Sequence, residues 1–139
     1  MESSSDAGST RINGIDSCIL LRYLLRDIPE QAKLARDLLL NGHDYYVDDV
    51  AIMEVVHVMT KDGRNRREIT EAIVGLLRNQ MFVWNAELFE PVFKTYLTHP
   101  SLSFDDIVLA ERAKLSGYSC LWTFDRKFAN QSKVARLLD

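Results

Sequence analysis

Four carboxylates suggest chemistry because of where they fall: Asp16, Glu54, Asp106 and Asp125. Asp16 and Asp125 each follow a short apolar run and precede a helical pattern, so each has an ordinary role as an N-cap. Ser103 and Asp106 are spaced like a capping box, with Asp where Glu or Gln is usual. Glu54 is harder to explain, since it lies within VAIMEVVHVM among Ile52, Met53, Val55, Val56 and Val58. An ionised carboxylate on such a helix needs a partner, a metal or a solvated cleft. His57, one turn further on, is one candidate partner. Two unit charges 4 Å apart repel by roughly 4 kcal/mol at an effective dielectric near 20. Four acids in one site therefore need protons or a divalent cation. Ligands that are all oxygen favour Mg2+ or Mn2+, whereas zinc would ask for His or Cys. Carboxylate-held Mg2+ suits phosphodiester hydrolysis.

The elements that must position these acids follow from the pattern around them. SFDDIVLAERAKLSGYSCLWTFD (103–125) predicts a helix whose apolar face is Ile107, Val108, Ala110, Ala113 and Leu115. Gly117 supplies the left-handed stop, and Tyr118–Thr123 is a buried strand. The helix runs back along the strand, so Asp106 returns to the strand end where Asp125 sits. Open α/β sheets place their ligands at that edge. Upstream, Arg11–Asp16, Asp44–Val47 and Met81–Trp84 read as strands. Helices are expected after Asp16, from Pro29 to a stop at Gly42, and over Asp49–Met59, Arg66–Asn79 and Ala86–Leu97. A short helix at Arg126–Asn130 and a last piece at Lys133–Leu138 close the chain. Strands alternating with helices imply an α/β fold: a small, mostly parallel central sheet flanked by helices on both faces.

With 139 residues, 47% hydrophobic and 27% charged, the chain reads as one domain over 11–139, behind a polar tail at 1–10. The formal charge is −3, yet with four acids set aside the remainder is slightly positive, so a polyanionic partner is compatible. Cys18 and Cys120 form no CxxC and no disulfide framework. Both are expected to be reduced and buried, which fits the cytosol. No apolar run approaches the roughly 20 residues that span a bilayer, and the start has no signal-peptide core. A catalytic triad, a P-loop and GxGxxG are all unsupported. Ser17 and Thr123, beside Asp16 and Asp125, divide between local structure and orienting a ligand carboxylate; Asp105 is a supporting acid or a solvated one. Asp48 and Asp49 are expected to cap the Glu54 helix. Cations suited to a phosphate backbone are Arg22 and Arg26, those from Lys61 to Arg67, and above all Arg126 and Lys127 beside Asp125.

IDSCILLRYLLRD, the Glu54 in VDDVAIMEVVHVM, LSFDDIVLAERAKLSGY and LWTFDRKF together resemble PIN-domain ribonucleases, most closely the VapC-type toxins of bacterial toxin–antitoxin pairs. The resemblance spans roughly residues 11–139. Residue by residue, it puts Asp16, Glu54, Asp106 and Asp125 on that family's acidic metal-binding quartet and Thr123 on a site-lining position. Asp106 is preferred to Asp105 because the family's acid directly precedes the apolar run that begins at Ile107. The resemblance implies Mg2+- or Mn2+-dependent endonucleolysis of RNA, frequent homodimers and inhibition by a cognate antitoxin. Cys18 departs from the Asn the family commonly carries there. Two rival readings are a catalytically silent binding module on the same fold and a receiver-type phosphoacceptor domain. The second needs an acceptor Asp near the third strand, and residues 80–100 contain none.

Overall fold

The computed structural model describes residues 12–139; the 1–10 tail, and Arg11 at the start of the expected first strand, lie outside them. The elements in chain order are β1 (Asn13–Ile15), α1 (Ser17–Leu25), α2 (Pro29–Leu39), β2 (Tyr45–Val47), α3 (Asp49–Lys61) and α4 (Arg66–Leu77). They continue with β3 (Phe82–Val83), α5 (Ala86–Thr98), α6 (Phe104–Ser116), β4 (Leu121–Thr123), α7 (Arg126–Gln131) and β5 (Ala135–Leu137). The fold is α/β, as the alternation of patterns implies.

β1, β2 and β3 form a parallel sheet in that order, with Ile15 opposite Val47 and Tyr46 opposite Val83. Each strand leads directly into a helix. Because the strands are parallel, the N-caps Asp16, Asp48 and Asn85 of α1, α3 and α5 all fall at one edge. β4 joins β5 in a separate parallel pair, Trp122 opposite Arg136, so among the described residues two small sheets stand where one was expected. The Tyr118–Thr123 strand is also shorter than its apolar run suggested. In a two-stranded ribbon one face is left open, and Trp122 is exposed on it.

The core lies between the three-stranded sheet and α3, α4, α5 and α6. α3 contributes Ala51, Ile52, Val55, Val56 and Met59, each large side chain worth about 1.5–3 kcal/mol on burial. Its remaining face carries Glu54 and His57 to solvent. On α6, Ile107, Val108, Ala110 and Ala113 are buried as the spacing predicts, but Leu115 is exposed. Leu115 lies in the last turn, two residues before the Gly117 stop. Gly117 ends α6 at φ 74°, its N–H returning to the carbonyls of Ala113 and Lys114. Cys18 is exposed and Cys120 half-buried, against the expectation that both are buried. Cys18 occupies the first turn of α1, at the open edge of the sheet.

Two interactions hold the start of α6. Phe104, its first residue, sits 5.1 Å from Phe93 and 5.2 Å from Tyr96, ring centre to ring centre, the Tyr96 pair edge to face. Arg66 lies over the Tyr96 ring at 4.3 Å and donates to the carbonyls of Tyr96 (2.9 Å) and Leu102 (2.6 Å). It thus satisfies acceptors at the C-terminal end of α5 and in the loop entering α6. One of the cations between Lys61 and Arg67 is therefore committed to the fold.

Candidate nuclease site

Each candidate acid is positioned by the local structure of its own element. Asp16 Oδ1 accepts from the Cys18 N–H at 2.9 Å and caps α1. Asp125 Oδ1 accepts from the Phe128 N–H at 3.0 Å and caps α7. Thr123 Oγ1 accepts from the Asp125 N–H at 3.0 Å, which fixes the turn out of β4 and leaves the carboxylate alone. Ser103 Oγ accepts from the Asp106 N–H at 3.1 Å. That is half of the capping box the spacing suggested, so Asp106 sits in the first turn of α6 with its carboxylate unspent on the box.

Long-range contacts bring three of these regions together. Ser17 Oγ donates to Glu54 Oε1 at 2.9 Å, bringing the second turn of α3 against the start of α1 and the Asp16 edge. One turn along α3, His57 Nε2 meets Asp105 Oδ1 at 2.8 Å. His57 therefore pairs with α6 and not with Glu54, whose partner is Ser17. At the N-terminal end of α3, Arg112 of α6 reaches Asp49 Oδ2 at 2.9 Å, and Asn85 reaches the same oxygen at 3.3 Å. Asp49 thus braces α6 against α3, and Asp48 caps α3 without a side-chain hydrogen bond, in place of the capping expected of both.

These bonds place Asp16, Glu54 and the Asp105–Asp106 pair along one stretch of α3. Asp125 makes no side-chain hydrogen bond to the other three among the described residues. Nor do any three His, Cys, Asp or Glu side chains among the described residues stand close enough together to share one ion. In chemistry the donors do suit a hard divalent cation, being carboxylates without a thiolate or imidazole. Asp16, Glu54 and Asp125 each commit one oxygen to the bonds above. The second oxygen of each takes no hydrogen bond from another described residue, so capping and ligation are compatible on one carboxylate.

The cations divide the same way. Arg22 is paired with Asp27, Arg64 with Asp62, and Arg67 lies 3.8 Å from Glu71. Arg126 and Lys127 are exposed in the first turn of α7, next to Asp125. A cleft of about 660 Å3 lies beside His57 and Asp105 and is rimmed by Lys61, Arg64 and Arg66. The His57–Asp105 and Asp49–Arg112 pairs are not legible in the chain, because a contact between distant segments leaves no local periodicity.

A small parallel α/β domain with acids at the carboxyl ends of its strands belongs to a class of folds that place their ligands at that edge. Within that class, the PIN domain family model matches residues 15–134, and the chain belongs to this family. PIN domains are typically nucleases. No curated protein and no solved structure matches the chain significantly. Among the described residues no helix is long and apolar enough to cross a membrane.

Proposed function

We propose that the protein is a Mg2+- or Mn2+-dependent endoribonuclease, acting as the toxin of a toxin–antitoxin pair. The observation that carries this reading is Glu54, an exposed carboxylate among the apolar residues of α3, held by Ser17 beside Asp16 at the open sheet edge. Membership of the PIN family supports it. In this reading Asp16, Glu54, Asp106 and Asp125 hold the cation. When bound, the cation supplies a more acidic water and offsets charge on the scissile phosphate. Ser17 fixes Glu54, Thr123 fixes the backbone entering Asp125, and Asp105 is anchored on His57. Arg126 and Lys127 orient the RNA backbone. A cytoplasmic location, a homodimer and a cognate antitoxin belong to the same reading.

Purified protein is expected to cut single-stranded RNA with Mn2+ or Mg2+, and to lose that activity with EDTA or on Asp106→Asn. Cutting that survives both changes overturns the assignment. A second reading, a catalytically silent PIN module, is favoured by the dispersal of the acids, two of which, Asp16 and Asp125, spend an oxygen on capping their own helices. Calorimetric titration with Mn2+ separates the two readings: the nuclease requires heat that Asp106→Asn removes, and the silent module gives none.

A further inference from the structure

The outer face of the β4–β5 ribbon carries a surface that the site above does not use. Side chains alternate along a strand, and here Leu121, Thr123, Ala135 and Leu137 point inward while Trp122, Phe124, Arg136 and Leu138 point out. Trp122 is 61% exposed, Phe124 79% and Leu138 50%. Trp122 lies opposite Arg136 in the parallel register, and the Leu138 N–H bonds the Thr123 carbonyl at 2.8 Å, so Phe124 and Leu138 are also neighbours across the ribbon. Two large rings and a guanidinium therefore share one open face. Phe124 directly precedes Asp125, so this face runs into the candidate site. The surrounding charge leans positive: residues 118–139 contain Arg126, Lys127, Lys133 and Arg136 against Asp125 and Asp139, in a chain whose net charge is −3.

The geometry points to this face as a base-stacking platform for single-stranded RNA, with Trp122 and Phe124 taking the bases that flank the scissile phosphate and Arg136 taking the backbone. The inference rests on the nuclease reading for its choice of RNA. Three physical features favour such an occupant. Flat aromatic faces on an open sheet stack unpaired bases whatever their sequence. A local excess of cations in an acidic protein attracts a polyanion to this patch. The platform also abuts Asp125, so a strand lying on it passes the acid. A duplex has its bases already stacked and offers only its phosphates, so the rings discriminate in favour of a single strand.

The chain has two tryptophans, so a Trp84→Phe background makes Trp122 the only indole reporter. The probes are a mixed-sequence 12-nucleotide RNA, its duplex and inorganic polyphosphate, all in EDTA so that nothing is cut. The platform requires the single strand to quench Trp122 and the duplex and polyphosphate to leave it bright. It also requires Trp122→Ala and Phe124→Ala each to weaken binding of the single strand about ten-fold, with Trp122→Phe and Phe124→Tyr restoring most of it. Unchanged melting temperatures keep misfolding out of the comparison. Equal quenching by duplex or polyphosphate, or wild-type affinity in both alanine variants, overturns the platform. So does a dimer in sedimentation that the alanine variants dissociate without any RNA-dependent quench, since the face is then a contact between copies. Binding through Trp122 with no metal-dependent cutting sinks the nuclease reading and leaves the platform standing. Cutting that is indifferent to both alanines does the reverse.

Discussion

Ser17 and Glu54 are 37 positions apart in the chain, and the Ser17 hydroxyl donates to Glu54 Oε1 at 2.9 Å. The bond is solvent-exposed, so its effect on stability is small, within about 1 kcal/mol. Its effect on the site is larger, because it fixes which way the Glu54 carboxylate of α3 points. Ser17→Ala is expected to lower Mn2+ affinity and cleavage by roughly 10–100-fold, the usual cost of losing a group that orients a ligand. Thermal unfolding in EDTA should barely move, and a large drop there would assign Ser17 to the fold instead.

Arg66 works in the opposite sense, far more through stability than chemistry. Its guanidinium donates to three carbonyls, those of Tyr96, His99 and Leu102, and covers the Tyr96 ring. Arg66→Ala leaves part-buried acceptors without donors, which is expected to cost about 2–4 kcal/mol in urea denaturation. Arg66→Lys should recover only a fraction, since an ammonium lacks the planar fork. Full recovery by lysine would show that charge alone matters here.

Phe104→Ala removes the ring that Phe93 and Tyr96 grip at the first residue of α6. Truncating a buried phenylalanine costs about 3–5 kcal/mol, and here the loss falls on the segment that aims Asp105 and Asp106. Denaturation should show the full cost, while Phe104→Leu keeps more of the packing and loses less. A cost below about 1 kcal/mol would mean that the aromatic cluster does not hold α6 in place.

Much of this was legible in the chain because it is local. Asp16 and Asp125 cap helices, Ser103 caps α6 and Gly117 stops it, and each of these is decided within a few residues. Parallel strands followed by helices then put Asp16, Asp48 and Asn85 on one edge by topology alone. What could not be read depends on which distant segments meet. His57 had Glu54 within reach one turn away, yet pairs with Asp105 of α6. Asp49 was expected to cap α3 and instead bonds Arg112. Leu115 follows the apolar pattern and Cys18 is a residue type usually buried, yet both are exposed. The exposure of Trp122 follows from β4 pairing, among the described residues, only with β5, and strand pairing has no signature in so short an apolar run.

Low pH should loosen the turn after α1. The Asp27 carboxyl is held below its ordinary value, chiefly by the hydrogen bond from Arg22. A lowered folded-state pKa means the pair stabilises fully above the unfolded value. That contribution fades as pH falls from there through the folded pKa. Asp27→Asn should therefore flatten the acid limb of the stability profile while changing little at neutral pH. An unchanged acid limb would show the pair to be too solvated to matter. Asp27 also keeps Arg22 occupied, so Asp27→Ala should free that guanidinium and slightly strengthen RNA binding at low salt.

Asp105 and Asp106 offer the sharpest comparison, two adjacent acids with different surroundings. Asp105 is turned onto His57 at 2.8 Å. Asp106 is half-buried, bonds Ser103 only through its N–H, and keeps its carboxylate clear of the cap. Asparagine retains an oxygen to accept from an imidazole N–H but has no charge to offer a cation. Asp105→Asn should thus preserve the contact with α3 and reduce cleavage no more than about ten-fold. Asp106→Asn should remove both the Mn2+-induced rise in melting temperature and the cleavage. Equal loss in the two variants would mean that the pair acts as one charged unit. The reverse order would move the ligand role to Asp105, and with it the reason for preferring the acid that directly precedes Ile107.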